Sequence, residues 1–150
     1  MKIYVDADGF PKAAKDLLIR TAARRQVPLV FVANKKVSYE PSALISSIIV
    51  SEGPDLADDR IVELARKGDL VISADIPLAA RAVAKGAVVL NPRGKLYTED
   101  NVNDSLALRD LMTGLRDGGM MTGGPPVFGK KECQAFVNQL DSFLTKHLKK

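Results

Sequence analysis

Apolar and polar positions alternate along the chain in blocks that predict strands separated by helices. Short apolar runs, several of them rich in β-branched residues, predict five strands. These runs end at Val5, Val32, Val50, Ile72 and Leu90. Strands that alternate with helices pair in parallel through right-handed crossovers. We therefore expect an α/β fold, a three-layer sandwich around a central, mainly parallel five-stranded sheet.

Apolar residues spaced three and four apart predict the intervening helices. They cover about residues 11–26, 55–67 and 77–85. Asp55 is placed to cap the second of them, and Gly68 is placed to end it.

The last third of the chain, residues 98–150, is predicted to be a helical extension packed on the core of a single domain, residues 1–150. Thr98 is placed to cap a helix that ends near Arg116, and residues 117–129 are interpreted as a mobile lid or linker. The final helix carries an apolar stripe formed by Cys133, Phe136, Val137, Leu140, Phe143 and Leu144. This stripe covers either the sheet or a second copy in a homodimer.

Composition indicates a globular protein, with 46% hydrophobic and 27% charged residues in a chain of 150. No stretch reaches the roughly 20 apolar residues needed to cross a membrane, and the first residues lack a signal-peptide pattern. We expect a cytoplasmic protein with no membrane partner. Cys133 is the single cysteine, which excludes an internal disulfide.

Five aspartates follow the predicted strands or begin a predicted helix. They are Asp6 and Asp8 after the first strand, Asp58 and Asp59 in the second helix, and Asp75 after the fourth strand. Carboxyl ends of parallel strands share one sheet edge, where ligands bind in open α/β folds. Each acid also has a structural interpretation, because Asp75 can cap a helix and Asp58 and Asp59 can complement a helix dipole.

Carboxylates gathered at one edge repel one another unless a cation or a proton lies among them. Oxygen ligands favour Mg²⁺ or Mn²⁺, whereas one cysteine and one histidine make zinc an unsuitable ion. The predicted metal ligands are Asp6, Asp58, Asp59 and Asp75, with Asp8 as a further ligand or as the residue that orients water. Such a site hydrolyses phosphoryl groups.

Four other residues at strand ends are candidate substrate contacts: Asn34, Ser73, Asn91 and Arg93. Arg93 is suited to bind a phosphate or to form a salt bridge with an aspartate. The other three are suited to hydrogen-bond a ligand or to form turns.

A basic rim formed by Arg24, Arg25, Lys35 and Lys36 is a candidate for phosphate contacts, although solvated surface is the commoner role of such charges. Aromatic residues are 5% of the chain and tryptophan is absent, so no extended platform for base stacking is expected.

Several motifs carry a family resemblance. They are VDADGFP, GPDLADDRIVE, SADIPLA, NPRGKLYTEDN, and GGPPVF followed by QAFVNQLD. In this order they resemble the YaiI/YqxD family of bacterial proteins, which is related to PIN-like nuclease domains. The resemblance implies a PIN-like fold and an acidic cluster of Asp6, Asp58 or Asp59, and Asp75, with Asp8 close by. Phe10 stands where the family commonly has a cysteine, so thiol chemistry is not expected here.

The leading hypothesis is therefore a divalent-metal-dependent nuclease that prefers RNA to DNA. One alternative is a non-catalytic module that binds nucleic acid or a partner protein. Another is a small-molecule phosphatase that uses the same metal site. Metal-dependent turnover and the choice of phosphoester distinguish these three hypotheses.

Overall fold

The computed structural model describes residues 1–8, 10–53, 56–117 and 129–147, without the side chains of residue 109 and residues 112–117. The strands are β1 (Ile3–Asp6), β2 (Leu29–Ala33), β3 (Ile45–Ile49), β4 (Leu70–Ile72), β5 (Val88–Leu90) and β6 (Leu96–Tyr97). The helices are α1 (Lys12–Arg25), α2 (Leu56–Leu64), α3 (Ile76–Ala84), α4 (Val102–Asp117) and α5 (Lys130–His147).

The strands form one mixed sheet in the order β3-β2-β1-β4-β5-β6. The first five strands pair in parallel, and β6 pairs antiparallel with β5. Val5 of β1 lies opposite both Phe31 of β2 and Ile72 of β4, which brings the carboxyl ends of these strands to one edge. The α/β prediction and the mainly parallel sheet are confirmed, whereas the likeness to a PIN-like fold stays a prediction.

The predicted count of five strands is wrong, because β6 is the sixth strand among the described residues. It has only two residues, Leu96 and Tyr97, which pair with Leu90 and Val89. The reversal between β5 and β6 is closed by Asn91, whose side-chain oxygen accepts a hydrogen bond from the backbone N–H of Arg93 at 2.7 Å. So short a strand has too few residues to show an apolar period, and its pairing depends on that turn.

Two hydrophobic clusters, one on each face of the sheet, give the molecule three layers. Leu18 of α1 and Phe136 of α5 are fully buried on one face, whereas Ile61 of α2 and Leu78 of α3 are buried on the other. Burying such a side chain contributes roughly 1.5–3 kcal/mol. The apolar stripe of α5 thus covers the sheet, and the stripe residues in this core are Phe136, Leu140, Phe143 and Leu144.

Helix α4 begins three residues later than the sequence predicts. Thr98 accepts backbone hydrogen bonds from Asn101 and Val102 in a turn, and its N–H donates to the side-chain oxygen of Asn101 at 2.9 Å. The predicted cap Asp55 and most of the predicted lid, residues 118–128, lie outside the described residues. No helix in the described ranges combines the length and the apolar character that crossing a membrane requires.

Gly94 lets the turn between β5 and β6 pack directly on α5. Its φ is +99°, in the left-handed region that favours glycine. A Cβ atom at this position would lie 2.9 Å from the backbone of Ala135. The close approach therefore requires that residue 94 have no side chain.

Candidate functional site

One part of the candidate site, around Asp6, Ser73 and Asp75, lies where the strand order reverses. After β3 the chain crosses back and enters the sheet as β4, on the other side of β1. In open α/β sheets such a reversal leaves a crevice outside the carboxyl ends of the two central strands. Asp6 is the last residue of β1, and Ser73 and Asp75 follow β4 directly.

Asp6 is held by a chain of hydrogen bonds between these two strands. The hydroxyl of Ser73 donates to Oδ2 of Asp6 at 3.0 Å. The same hydroxyl oxygen accepts the backbone N–H of Asp75 at 3.0 Å. Ser73 is only 1% exposed, so its hydroxyl serves to orient Asp6 and has little access to solvent.

The carboxyl of Asp6 has an unusual affinity for protons. Burial raises its pKa from 3.8 to about 6, the hydrogen bond from Ser73 opposes this rise, and the negative charges of Asp75 and Asp8 add to it. The surroundings of Asp6 therefore favour a proton or a cation, because ionised Asp6 is partly desolvated and faces like charge.

Asp75 is the N-cap of α3. Its Oδ1 accepts the backbone N–H of Leu78 at 2.9 Å, and Pro77 occupies the first turn of the helix. The helix-capping interpretation of Asp75 is thus observed. Its charge still acts on Asp6, so Asp75 contributes to the negative field from a capping position.

Three of the five predicted acids line one cavity. Asp6, Asp8 and Asp58 surround a space of about 210 Å³, the acidic pocket, together with Asn34, Val50, Ser51, Gly53 and Ala57. The carboxylate of Asp8 is exposed and accepts the backbone N–H of Asn34 at 3.0 and 3.3 Å. Asp58 enters from the first turn of α2 and is half-buried. Segments far apart in sequence therefore meet at this pocket.

Asp59, the neighbour of Asp58, points elsewhere. Its Oδ1 pairs with the guanidinium of Arg81 on α3 at 2.8 Å, and the side chain is exposed. Asp59 does not belong to the residues that line the acidic pocket. Of the two acids that the sequence left as alternatives, Asp58 is the one that lies beside Asp6.

The candidate substrate contacts are dispersed. Asn34 lines the acidic pocket, whereas Asn91 and Arg93 lie in the turn between β5 and β6. Glu132 of α5 has a lowered pKa, mainly through the hydrogen bond from the Gly129 N–H and in smaller part through the charge of Arg93. Arg93 thus acts on the amino end of α5, whereas Ser73 contacts Asp6.

A second and larger cavity, of about 570 Å³, adjoins the acidic pocket. Four lysines line it, and we call it the lysine pocket: Lys12, Lys15, Lys35 and Lys36. Lys15 spans the cavity wall, because its Nζ donates to the backbone oxygen of Ser38 at 2.8 Å. Asp8 and Asn34 line both cavities, so the two pockets adjoin each other.

The predicted basic rim is therefore divided. Arg24 and Arg25 lie at the other end of α1, about 18 Å from its first turn, and both pair with Asp141 of α5, at 2.7 and 3.6 Å. Arg25 also donates to the Thr145 hydroxyl at 2.7 Å. The sequence analysis did not single out Lys12 and Lys15. Both lie in the first turn of α1, the helix that follows β1, and this position places them at the carboxyl edge of the sheet.

The chemistry of the acidic pocket suits a hard divalent ion, since carboxylate oxygens are the ligands that such ions prefer. Among the described residues, however, no three His, Cys, Asp or Glu side chains are grouped closely enough to hold a metal ion. Mg²⁺ is commonly bound through one or two carboxylates, water and substrate phosphates. The residues present fit that mode of binding rather than a complete protein cage.

Comparison with known proteins identifies the family. The family model described as "Uncharacterized BCR, YaiI/YqxD family" matches residues 4–146. A UPF0178 protein of Maridesulfovibrio salexigens is 53% identical over 148 residues, 99% of this chain and 98% of the relative. A UPF0178 protein of Shewanella halifaxensis is 52% identical over 149 residues, 99% of each chain.

No solved structure matches this chain. The predicted resemblance to the family is confirmed, and the relation to PIN-like nuclease domains stays a prediction. Because the family model matches residues 4–146 and both relatives match over nearly the whole of each chain, the chain belongs to the YaiI/YqxD family.

Proposed function

We propose that this protein is a divalent-metal-dependent nuclease that hydrolyses phosphodiesters with Mg²⁺ or Mn²⁺. One observation carries the proposal: Asp6, Asp8 and Asp58 converge on one pocket at the carboxyl ends of β1, β2 and β3. That edge is where open α/β sheets bind ligands. The raised pKa of Asp6 supports the proposal, because burial and, in smaller part, the charges of Asp75 and Asp8 disfavour the ionised carboxylate, which a cation would stabilise.

In this proposal the three acids have different roles. When bound, the ion would polarise the phosphodiester and make water a stronger nucleophile. Asp6 and Asp58, both half-buried, hold the cation side of the pocket. Asp8, exposed and fixed by the Asn34 N–H, orients the attacking water. The water oxygen forms a new P–O bond, the bond to the leaving oxygen breaks, and the leaving oxygen ends with a proton.

Ser73 and Asp75 are positioning residues in this proposal. The Ser73 hydroxyl fixes Oδ2 of Asp6, and the backbone of Asp75 fixes the hydroxyl. Asp75 is in turn held by its bond to the first turn of α3. This arrangement keeps Asp6 in one orientation before any ligand arrives, which reduces the cost of ordering it on binding.

RNA rather than DNA is the preferred substrate in this proposal. The test compares single-stranded RNA and DNA of one sequence, each labelled at one end, with Mn²⁺, with Mg²⁺ and with a chelator. A phosphate monoester in the same panel tests the phosphatase hypothesis.

The decisive variants are Asp6→Asn and Asp58→Asn. We expect each to lower metal-dependent cleavage by more than about 100-fold, since removing a ligand costs more than the 10-fold to 100-fold typical of outer residues. Asp59→Asn changes the adjacent acid that pairs with Arg81 and should lose much less. Asp16→Asn, on the exposed face of α1, is the matched control. Cleavage that persists in Asp6→Asn would refute the proposed site.

A second candidate function is a non-catalytic nucleic-acid-binding module. Two observations favour it: four lysines line one cavity, and the described acids do not form a ready group of three ligands. It predicts salt-sensitive binding without metal-dependent turnover. The cleavage assay above separates it from the nuclease.

A further inference from the structure

We propose that the lysine pocket binds the backbone phosphates of a single-stranded nucleic acid and leads that strand into the acidic pocket. The assignment of this strand as the substrate rests on the proposed nuclease function. This binding surface includes Lys12 and Lys15, which the predicted basic rim did not contain.

The first support is the convergence of cationic side chains from two separate segments. Lys12 and Lys15 lie in the first turn of α1, and Lys35 and Lys36 lie directly after β2. All four line a cavity of about 570 Å³. Lys12, Lys35 and Lys36 are exposed, so their ammonium groups are accessible to a polyanion.

The second support is that acids do not neutralise this cavity. Within the described part of the chain, the ion pairs involve other residues, and none of them includes any of the four lysines. The first turn of α1 contains no acidic residue, and Pro11 supplies no capping side chain. The positive end of the α1 dipole therefore adds to the charge of the lysines. Among the described residues of the wall, Asp8 is the one carboxylate.

The third support is that the two pockets share part of their walls. Asp8 and Asn34 line both cavities. A strand whose phosphates contact the lysines can therefore extend into the acidic pocket, where a bound cation would offset the like charge of phosphate and carboxylate. A strand carries phosphates at regular intervals and can occupy both pockets at once, whereas a single phosphate group occupies one.

The contacts available in the lysine pocket are to phosphates rather than to bases. Phe10 is the aromatic residue in its wall, and its ring packs edge-on against Phe136 of α5, with 6.1 Å between ring centroids. A ring that packs against the core in this way is a poor stacking platform for bases. Binding is therefore expected to depend on salt and to depend little on base sequence.

The test measures binding without turnover. Fluorescence anisotropy with labelled 12-nucleotide RNA and DNA single strands in chelator gives the affinity at several salt concentrations. Each lysine–phosphate contact contributes about −0.7 to the slope of log affinity against log salt. Lys35→Gln/Lys36→Gln should reduce the steepness by about 1.4 and weaken binding by about 25-fold at 0.1 M salt.

Arg24→Gln/Arg25→Gln is the matched control, since it removes the same charge from the other end of α1. Thermal unfolding shows whether either double variant has lost stability. Equal losses in the two double variants would overturn the inference, because they would indicate a response to net charge alone. Affinity that is unchanged in the lysine variant would overturn it as well.

The binding assay tests the lysine pocket, and the cleavage assay tests the nuclease, so the two proposals can fail independently. Asp6→Asn is expected to bind the strand at least as well as the wild type, because it removes a negative charge beside the path. Lysine-dependent binding without cleavage would support the pocket and refute the nuclease. Asp6-dependent cleavage with lysine-independent binding would refute the pocket and leave the nuclease standing.

Discussion

The two edges of the sheet use charge in opposite ways. At the amino-terminal edge, the buried residue Asp69 directly precedes β4. Its carboxylate accepts the backbone N–H of Lys2 at 3.1 Å and that of Arg66 at 3.0 Å. Arg24 and Arg25 at the same edge pair with Asp141. At the carboxyl-terminal edge, Asp6, Asp8 and Asp58 share one pocket and four lysines line the next.

The carboxylates at the amino edge are thus paired with donors or cations, whereas at the carboxyl edge acids gather in one pocket and lysines gather in the next. A buried carboxylate that accepts two backbone donors stabilises the fold, because the loops that supply the donors are held together. A carboxylate that faces other carboxylates is destabilising when ionised, and folds retain such groups mainly at functional sites. We therefore expect the amino edge to contribute stability, and we propose that the carboxyl edge binds the ligand.

The largest expected effect on stability is at the amino edge. Asp69→Ala removes the acceptor of two backbone N–H groups, and a hydrogen bond to a charged group contributes about 1.5–3 kcal/mol. We expect the free energy of unfolding to fall by about 3 kcal/mol. Denaturant unfolding measures this, and Asp69→Asn, which keeps one acceptor oxygen, should lose less. An unchanged midpoint in Asp69→Ala would contradict the structural role.

Asp6→Asn is expected to act in the opposite direction. The pKa of Asp6 is about 6 in the folded protein and near 3.9 in the unfolded chain, so the native state binds the proton more tightly. The stability of the metal-free wild type should therefore fall as pH rises from about 4 to 6 and stay low above that range. Asp6→Asn lacks this fall and should be about 2 kcal/mol more stable than the wild type at pH 8.

Thermal unfolding across this pH range, with and without Mg²⁺ or Mn²⁺, measures the effect. The ion should stabilise the wild type at pH 8 and leave Asp6→Asn nearly unchanged, because only the wild type offers this carboxylate. Equal pH profiles for the two metal-free proteins would show that Asp6 does not carry the titration.

Ser73→Ala is expected to have the smallest effect. The Ser73 hydroxyl opposes the rise in the pKa of Asp6, so its loss should move the pH-dependent fall in stability to higher pH. The accompanying loss of stability at pH 8 should be about 1 kcal/mol. In the Asp6→Asn background the same substitution should no longer move the pH profile, which makes the pair a double-mutant cycle.

The strands and most helices were predictable because their signals are local. Runs such as Leu70–Ile72 are wholly apolar and buried, as expected for a strand covered on both faces. Strand β6 was not predictable in this way, since Leu96 and Tyr97 are fixed by pairing with β5. The start of α4 was misplaced because Asn101 closes a turn with Thr98 before the helix begins.

The acids of the site were predictable as a set, but their division into roles was not. Strand order alone places Asp6 and Asp75 at one edge, whereas only packing shows that Asp75 caps α3 and that Asp59 pairs with Arg81. The lysine pocket was not predicted, because it depends on the packing of the segment after β2 against α1. The hydrogen bond from Lys15 to Ser38 joins these two segments.

The glycine at the turn between β5 and β6 has a consequence for how substitutions spread. Residue 94 contacts the backbone of Ala135, the next residue on α5 is Phe136, and Phe136 supports the ring of Phe10 in the wall of the lysine pocket. Even one methyl group at residue 94 would clash with α5, so that either the turn or the helix would have to shift. The tolerance of this turn to mutation is therefore set by its contact with the helix that supports Phe10, not by its own exposure.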